Sequence, residues 1–176
     1  MGYYSMLMIG GRIWIAEALC MAVKKKEVLD EFSSFVPWVE SLKQSAEDVW
    51  RKPIAEGKWS LREILTHIMH WDKNSLEVMV PRMDEGAVLL FVDIEEHNRE
   101  AEVVAQSYDC LENLIDDVVE TRKKLLELLE ERYEDDLKLT IDNEEYTYKR
   151  FVDIFIHHDA HHRQQVEAFL KQERQV

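Results

Sequence analysis

An all-α fold, a four-helix bundle with a long crossover between its second and third helices, is the class this sequence predicts, and three observations predict it. Breakers are scarce, with five Gly and three Pro in 176 residues, whereas an all-β chain needs frequent turns. Apolar residues make up 46% of the chain and recur at three- and four-residue spacings over long stretches, the period of a helix with one buried face. The length suits one domain with a core of its own.

Each element follows from its own signals. From Lys24 to about Trp50, the residues Val28, Phe32, Phe35, Val36, Val39 and Leu42 make one helical stripe, and Pro53 and Gly57 mark its stop. Ser60 and Glu63 then form a capping-box pattern, with Trp59 and Ile64 placed for a hydrophobic staple. This predicts a second helix from Leu61 to about Val80, before Pro81. Residues 82–107 form the crossover, with Gly86 in a loop and a short helix around Ile94 to Ala105. Leu111, Leu114, Ile115, Val118, Leu125 and Leu129 carry a third long helix to about Tyr133. Leu137 to Tyr148 reads as an extended excursion turning at Asp142 and Asn143, with Tyr146 and Tyr148 paired in a small hairpin or loop. Thr147 caps a fourth helix running from Tyr148 to about Gln172. One long crossover means that not every neighbouring pair is antiparallel.

Residues 1–22 stand apart from this pattern. They are apolar but lack a basic n-region and are interrupted by Gly10, Gly11, Arg12 and Glu17, so they make a poor signal peptide and are too short to span a bilayer. Met6 occupies the position where a myristoylation signal has Ser or Thr. We read 1–22 as an extension, or a misassigned start with Met21 beginning the domain, and 23–176 as the bundle domain.

The net charge of −14, from 36 acidic and 22 basic side chains, would repel phosphate backbones and argues against nucleic acid as a partner. The acids are spread along solvated faces, as at Glu127, Glu130, Glu131, Glu134 and Asp135. Cys20 and Cys110 show no metal or redox spacing, so a reduced, cytoplasmic setting without a membrane is expected. Cys110 falls in a helical pattern where a small buried cysteine is the ordinary reading.

Six of the seven histidines fall in two predicted helices: His67 and His70 in the second, and His157, His158, His161 and His162 in the fourth. His97 lies in the crossover. At about 100° per residue, His158 and His162 continue the apolar line of Phe151 and Phe155 toward Val166 and Phe169. His157 and His161 align instead with Arg150, Gln164 and Ala168, a flank expected to face solvent or another subunit. Two neutral imidazoles in an apolar seam must find partners, because burying an unsatisfied polar nitrogen costs a few kcal/mol. A shared metal ion satisfies both. His67, a turn beyond Ile64 and a turn before Trp71, can supply a third nitrogen across the core. Two hydrogen-bonded core histidines remain the competing reading of the same spacing.

The segment WSLREILTHIMHWDKN (59–74), together with HHDAHHRQQ (157–165), resembles the DinB-like superfamily of metal-binding four-helix bundles, which includes YfiT-like proteins. The resemblance covers about residues 23–172. It implies a divalent metal held by His67, His158 and His162, with Arg163 and Gln165 completing the family's ending. It also implies a small-molecule substrate, since such proteins include thiol S-transferases using a low-molecular-weight thiol and metal-dependent hydrolases; homodimers are common among them.

Three protein ligands leave coordination positions open, as in catalytic sites. Imidazole suits Zn, Ni, Fe and Cu alike, and we expect Zn, with Ni, Fe or Mn as alternatives. The working expectation is an ion that activates water or a thiol against a small electrophile. Gln165 shares the His158 and His162 face and is a candidate orienting group. Glu63 and Asp72 bracket His67 and are candidates for orienting its ring or acting as general base, although surface carboxylates are the ordinary reading of both. Trp59 and Trp71 would line the pocket mouth. A bundle that sequesters a ligand without turnover, and a structural bundle with empty histidines, are the readings against which this one is set.

Overall fold

Where the sequence offers one apolar stripe from Lys24 to Trp50, the chain makes two helices. The structure, a computed structural model, describes residues 24–175, so the expected extension 1–22 and Cys20 lie outside the described residues. Residues 24–33 form α1, Ser34 is a turn, and α2 spans Phe35–Ser45. The cause is Pro37, which the stripe conceals: it has no N–H for the Ser33 carbonyl, and its ring crowds that carbonyl. The Ser33 and Ser34 hydroxyls donate to the Asp30 and Glu31 carbonyls (2.8 and 2.6 Å), supporting the break.

The second predicted helix starts as expected and ends differently. In α3 (Leu61–Asn74) the full capping box forms, with the Ser60 side chain accepting from the Arg62 N–H and Glu63 accepting from the Ser60 N–H. Trp59 packs on the apolar cluster that contains Ile64. The chain then widens into a π turn, Ser75–Met79, and tightens into a 3₁₀ turn, Val80–Arg82, around Pro81.

The crossover carries β1 (Val88–Leu89) and α4 (Ile94–Ala105), the latter capped by Asp93 accepting from the Glu96 N–H. Then α5 spans Leu111–Arg132, β2 Leu139–Ile141, β3 Glu144–Tyr146 and α6 Tyr148–Glu173, with Thr147 as the N-cap of α6. The β2–β3 hairpin turns on Asp142 and Asn143, both at positive φ (49° and 67°), the conformation a two-residue hairpin loop requires. Tyr146 pairs with Leu139, but Tyr148 has already entered α6. The sequence did not predict that β1 adds to β2 in parallel, pairing Val88 with Thr140 and Leu89 with Ile141. Gly86, at φ +73°, donates to the Lys138 carbonyl and brings the crossover alongside.

Among the described residues α1 with α2, α3, α5 and α6 make the four-helix bundle, and α4 lies against α3. The core has two apolar parts. One gathers Phe35, Leu65, Met69, Val118 and Val166; the other gathers Phe32, Met79, Leu125, Tyr148 and Phe155. Three of the bundle helices carry buried polar groups between these parts: His67 and Asp72 on α3, Arg122 on α5, and Asp159 and His162 on α6. No helix among the described residues is long and apolar enough to cross a membrane.

Candidate metal centre

At that polar level His67 from α3 meets His158 and His162 from α6. His67 Nε2 lies 2.8 Å from His158 Nε2, and His162 Nε2 lies 3.2 Å from the same atom. His67 and His162 are buried and His158 half-buried, so the i, i+4 pair on α6 faces the single imidazole of α3.

Neutral imidazoles alone do not satisfy this arrangement. A ring nitrogen carries either one proton or one lone pair, directed along one in-plane line, so His158 Nε2 can complete a good bond with only one of its two neighbours. Protonation does not resolve the conflict. Burial, and then repulsion from His158 and His162, pushes the His67 pKa down to about 3. Burial, His162 and Arg122 likewise push His158 to about 3. His162 is lowered chiefly by burial, against a hydrogen bond to Gln165 that raises it. Three neutral rings with converging Nε2 atoms are a donor set that can hold a metal ion.

The surroundings suit that use. Gln165 Oε1 accepts from His162 Nδ1 at 2.9 Å, which leaves the lone pair on Nε2, while the Gln165 amide donates to His161 Nε2 at 3.0 Å. Among the described residues the buried Nδ1 of His67 makes no hydrogen bond, nor does Oδ1 of Asn98. Asn98 nevertheless stands close enough to favour the protonated ring, so a small approach of α4 would join the two atoms.

The cluster lines part of a cleft of about 440 Å³, whose walls also include Trp59, Trp71, Phe91, Ile94, Ile154 and Phe155. Both tryptophans flank His67, with ring centroids at 5.0 and 6.5 Å. His161 and Asn98 add polar groups to the wall. His161 is exposed, as its helical position predicted, and also lies on the cleft wall; His157 is exposed and bonded to the Asp153 carbonyl.

Neither candidate carboxylate joins the histidines. Glu63 accepts from Ser60, Arg62 and Gln106; burial alone would raise its pKa, but these hydrogen bonds lower it. Asp72 is not a surface group but wholly buried. It takes two bonds from Arg122 of α5, 2.7 Å from Nε and 3.1 Å from Nη2, while Asp159 of α6 takes two more at 2.6 and 3.2 Å. Arg122 also donates to the Phe32 carbonyl and lies against the Phe32 and Phe35 rings. Burial raises Asp72 to about 6 despite the guanidinium. Cys110, expected within a helix, is instead the half-buried residue preceding α5.

The charged triad is what sequence reading missed, and its signal was present. Arg122 falls four residues after Val118 and three before Leu125, and Asp159 four after Phe155, each inside a stripe read as apolar, while Asp72 falls three after the buried Met69. Asn98 and Ile154 had no comparable signal, because only the packing of α4 and α6 brings them to the cleft.

Comparison with known proteins agrees with this architecture. The model of the DinB superfamily matches residues 27–166. YfiT from Bacillus subtilis, described as a probable metal-dependent hydrolase with an unusual four-helix bundle topology, superimposes with a TM-score of 0.64 at 14% identity, over 85% of this chain and 86% of that one. No curated protein matches in sequence.

Proposed function

The chain belongs to the DinB superfamily, and from that premise we propose that it is a metal-dependent enzyme acting on a small, largely apolar electrophile, as a thiol S-transferase or a hydrolase. The observation that carries the reading is the convergence of the His67, His158 and His162 Nε2 atoms in the wall of an apolar cleft. An ion held there, Zn being the best fit to neutral imidazoles with Ni, Fe or Mn as alternatives, supplies Lewis acidity that lowers the pKa of water or a low-molecular-weight thiol.

The chain's own residues do the rest. Gln165 fixes the His162 tautomer, and Asn98 is positioned to do the same for His67. The tryptophans and Phe91, Ile94 and Ile154 take the apolar part of the substrate and exclude water from it. Glu63 and Asp72 are engaged elsewhere, and His161, whose Nε2 accepts from Gln165, is left with its Nδ1–H as a hydrogen-bond donor at the cleft wall and not as a proton-transfer group.

One observation favours a second reading. Apart from the histidines, the cleft wall holds no acid or base among the described residues, as suits a bundle that sequesters a reactive apolar compound without turnover. Elemental analysis and activity screening separate these. The protein should carry about one ion at this cluster, lost in His67→Ala and His162→Ala, and should turn over model electrophiles with a thiol or water only when loaded. Binding of such compounds without turnover would favour sequestration, and metal content unchanged by both substitutions would end both readings.

A further inference from the structure

A second group of ligating side chains stands on the other side of Trp71. His70 follows His67 on α3 by three residues, and α4 contributes His97 and Glu100, themselves three apart, so all three share the α3–α4 seam. Their potential ligand atoms lie within 4.8 Å of one another, with His70 Nε2 and Glu100 Oε2 3.4 Å apart. The His70 and His97 rings are 4.2 Å apart, and the Trp71 ring packs 4.2 Å from His97.

The observation that points to a ligand is His97 itself. It is only 6% exposed, and among the described residues its buried Nε2 has no hydrogen-bond partner. Such a nitrogen costs about 1–3 kcal/mol if left unsatisfied. Burial and the neighbouring His70 hold its pKa near 4, so the lone pair is free at neutral pH. The same group lines a cleft of about 330 Å³ in which Glu77, Asp93, Glu96 and Glu100 outnumber Lys73, an acidic field that concentrates cations.

We propose that His70, His97 and Glu100 form a second divalent-metal site, separate from the three-histidine cluster, whose ion clamps α4 onto α3. Two imidazoles and a carboxylate suit Zn(II) or Co(II). Bonds of about 2.0–2.2 Å put ligand atoms roughly 3.3–4.4 Å apart, and Glu100, exposed on the surface, has the freedom to close the remaining gap. Because α4 also carries Ile94 and Asn98 into the main cleft, occupancy here would set the position of that wall.

The test uses Co(II) as the probe, titrated into metal-free protein and read by its visible absorption. His158→Ala/His162→Ala removes the first cluster, and this double variant should still bind about one Co(II) per chain with the spectrum of a nitrogen- and oxygen-ligated ion. Adding Glu100→Gln, a surface change that leaves folding intact, should weaken that binding by at least about ten-fold, and adding His97→Ala should abolish it. Failure of the double variant to bind Co(II) while it remains helical would overturn the proposal. So would binding that survives both further substitutions. Loss of the first cluster's ion alone would bear on the enzyme reading and leave this site standing.

Discussion

Replacing Arg122 by Met tests whether the bundle depends on the charged layer that divides its core. The side chain is 0% exposed, donates four bonds to Asp72 and Asp159 and a fifth to the Phe32 carbonyl. Met fills much of the volume, so the loss comes mainly from two carboxylates left buried without their counter-charge. Removing one partner of such a cluster costs about 3–5 kcal/mol, or roughly 6–20 °C in melting temperature for a chain of this size. Urea unfolding of metal-free protein at pH 7 measures it cleanly, since a bound ion would add its own linkage. The deficit should narrow on acidification by about 1.4 kcal/mol per pH unit for each carboxyl that takes up a proton in the variant but not in the parent. Changing Asp72 and Asp159 to Asn as well should recover most of the loss. A loss below about 1 kcal/mol, or one that ignores pH, would refute the view that Arg122 is what makes those carboxylates tolerable.

Two further outcomes follow from the same level of the bundle. In metal-free protein His67 and His158 titrate near 3 and His97 near 4, below the ordinary value of about 6.5. Their folded-state pKa values are depressed, so the unfolded chain binds the protons first and stability falls as pH drops below about 6.5. Asp72, raised to about 6, acts in the opposite sense over the upper part of that range. His162, also lowered, adds to the loss, and Asp159, also raised, adds to the offset; four depressed imidazoles against two raised carboxyls leave a net fall in stability between pH 6 and 5, which chemical denaturation at several pH values checks and a flat profile would contradict. Asn98→Ala should lower affinity for the first ion by about 10–100-fold while leaving unfolding nearly unchanged, measured by chelator competition, and unaltered affinity would remove Asn98 from the site.

Most of the architecture was legible because it is written in local chemistry. Ser60 with Glu63, Asp142 with Asn143, and Thr147 before Tyr148 act within a few residues, and each gave the feature expected of it. The near pairing of His158 and His162 was legible too, since helical spacing alone brings them together. What escaped was non-local. The parallel pairing of β1 with β2 joins residues some fifty positions apart through two short strands that carry no pattern of their own. Asp72 and Glu63 were assessed by their distance from His67 along the sequence, which ignores that Asp72 faces a different helix from its neighbour. Pro37 was overlooked because the apolar period continues through it, although a proline there removes the hydrogen bond that would carry one helix past Ser34.

The triad and the histidines belong together physically. His67 and Asp72 on α3, and His158 and Asp159 on α6, are five residues and one residue apart, so each helix turns an imidazole toward the cleft and a carboxylate toward α5. The planar guanidinium of Arg122 binds both carboxylates with two bonds each, which restricts sliding and rotation of α3 against α6 more tightly than apolar contacts would. It thereby sets the register on which the 2.8 Å approach of His67 to His158 depends. A purely apolar layer at this level would serve stability as well or better; its replacement by ions is understandable if what must be held is the spacing of the imidazoles. Arg122→Met, which touches no histidine directly, should therefore weaken metal binding as well as folding, whereas an apolar substitution of equal stability cost deep in either apolar cluster should not.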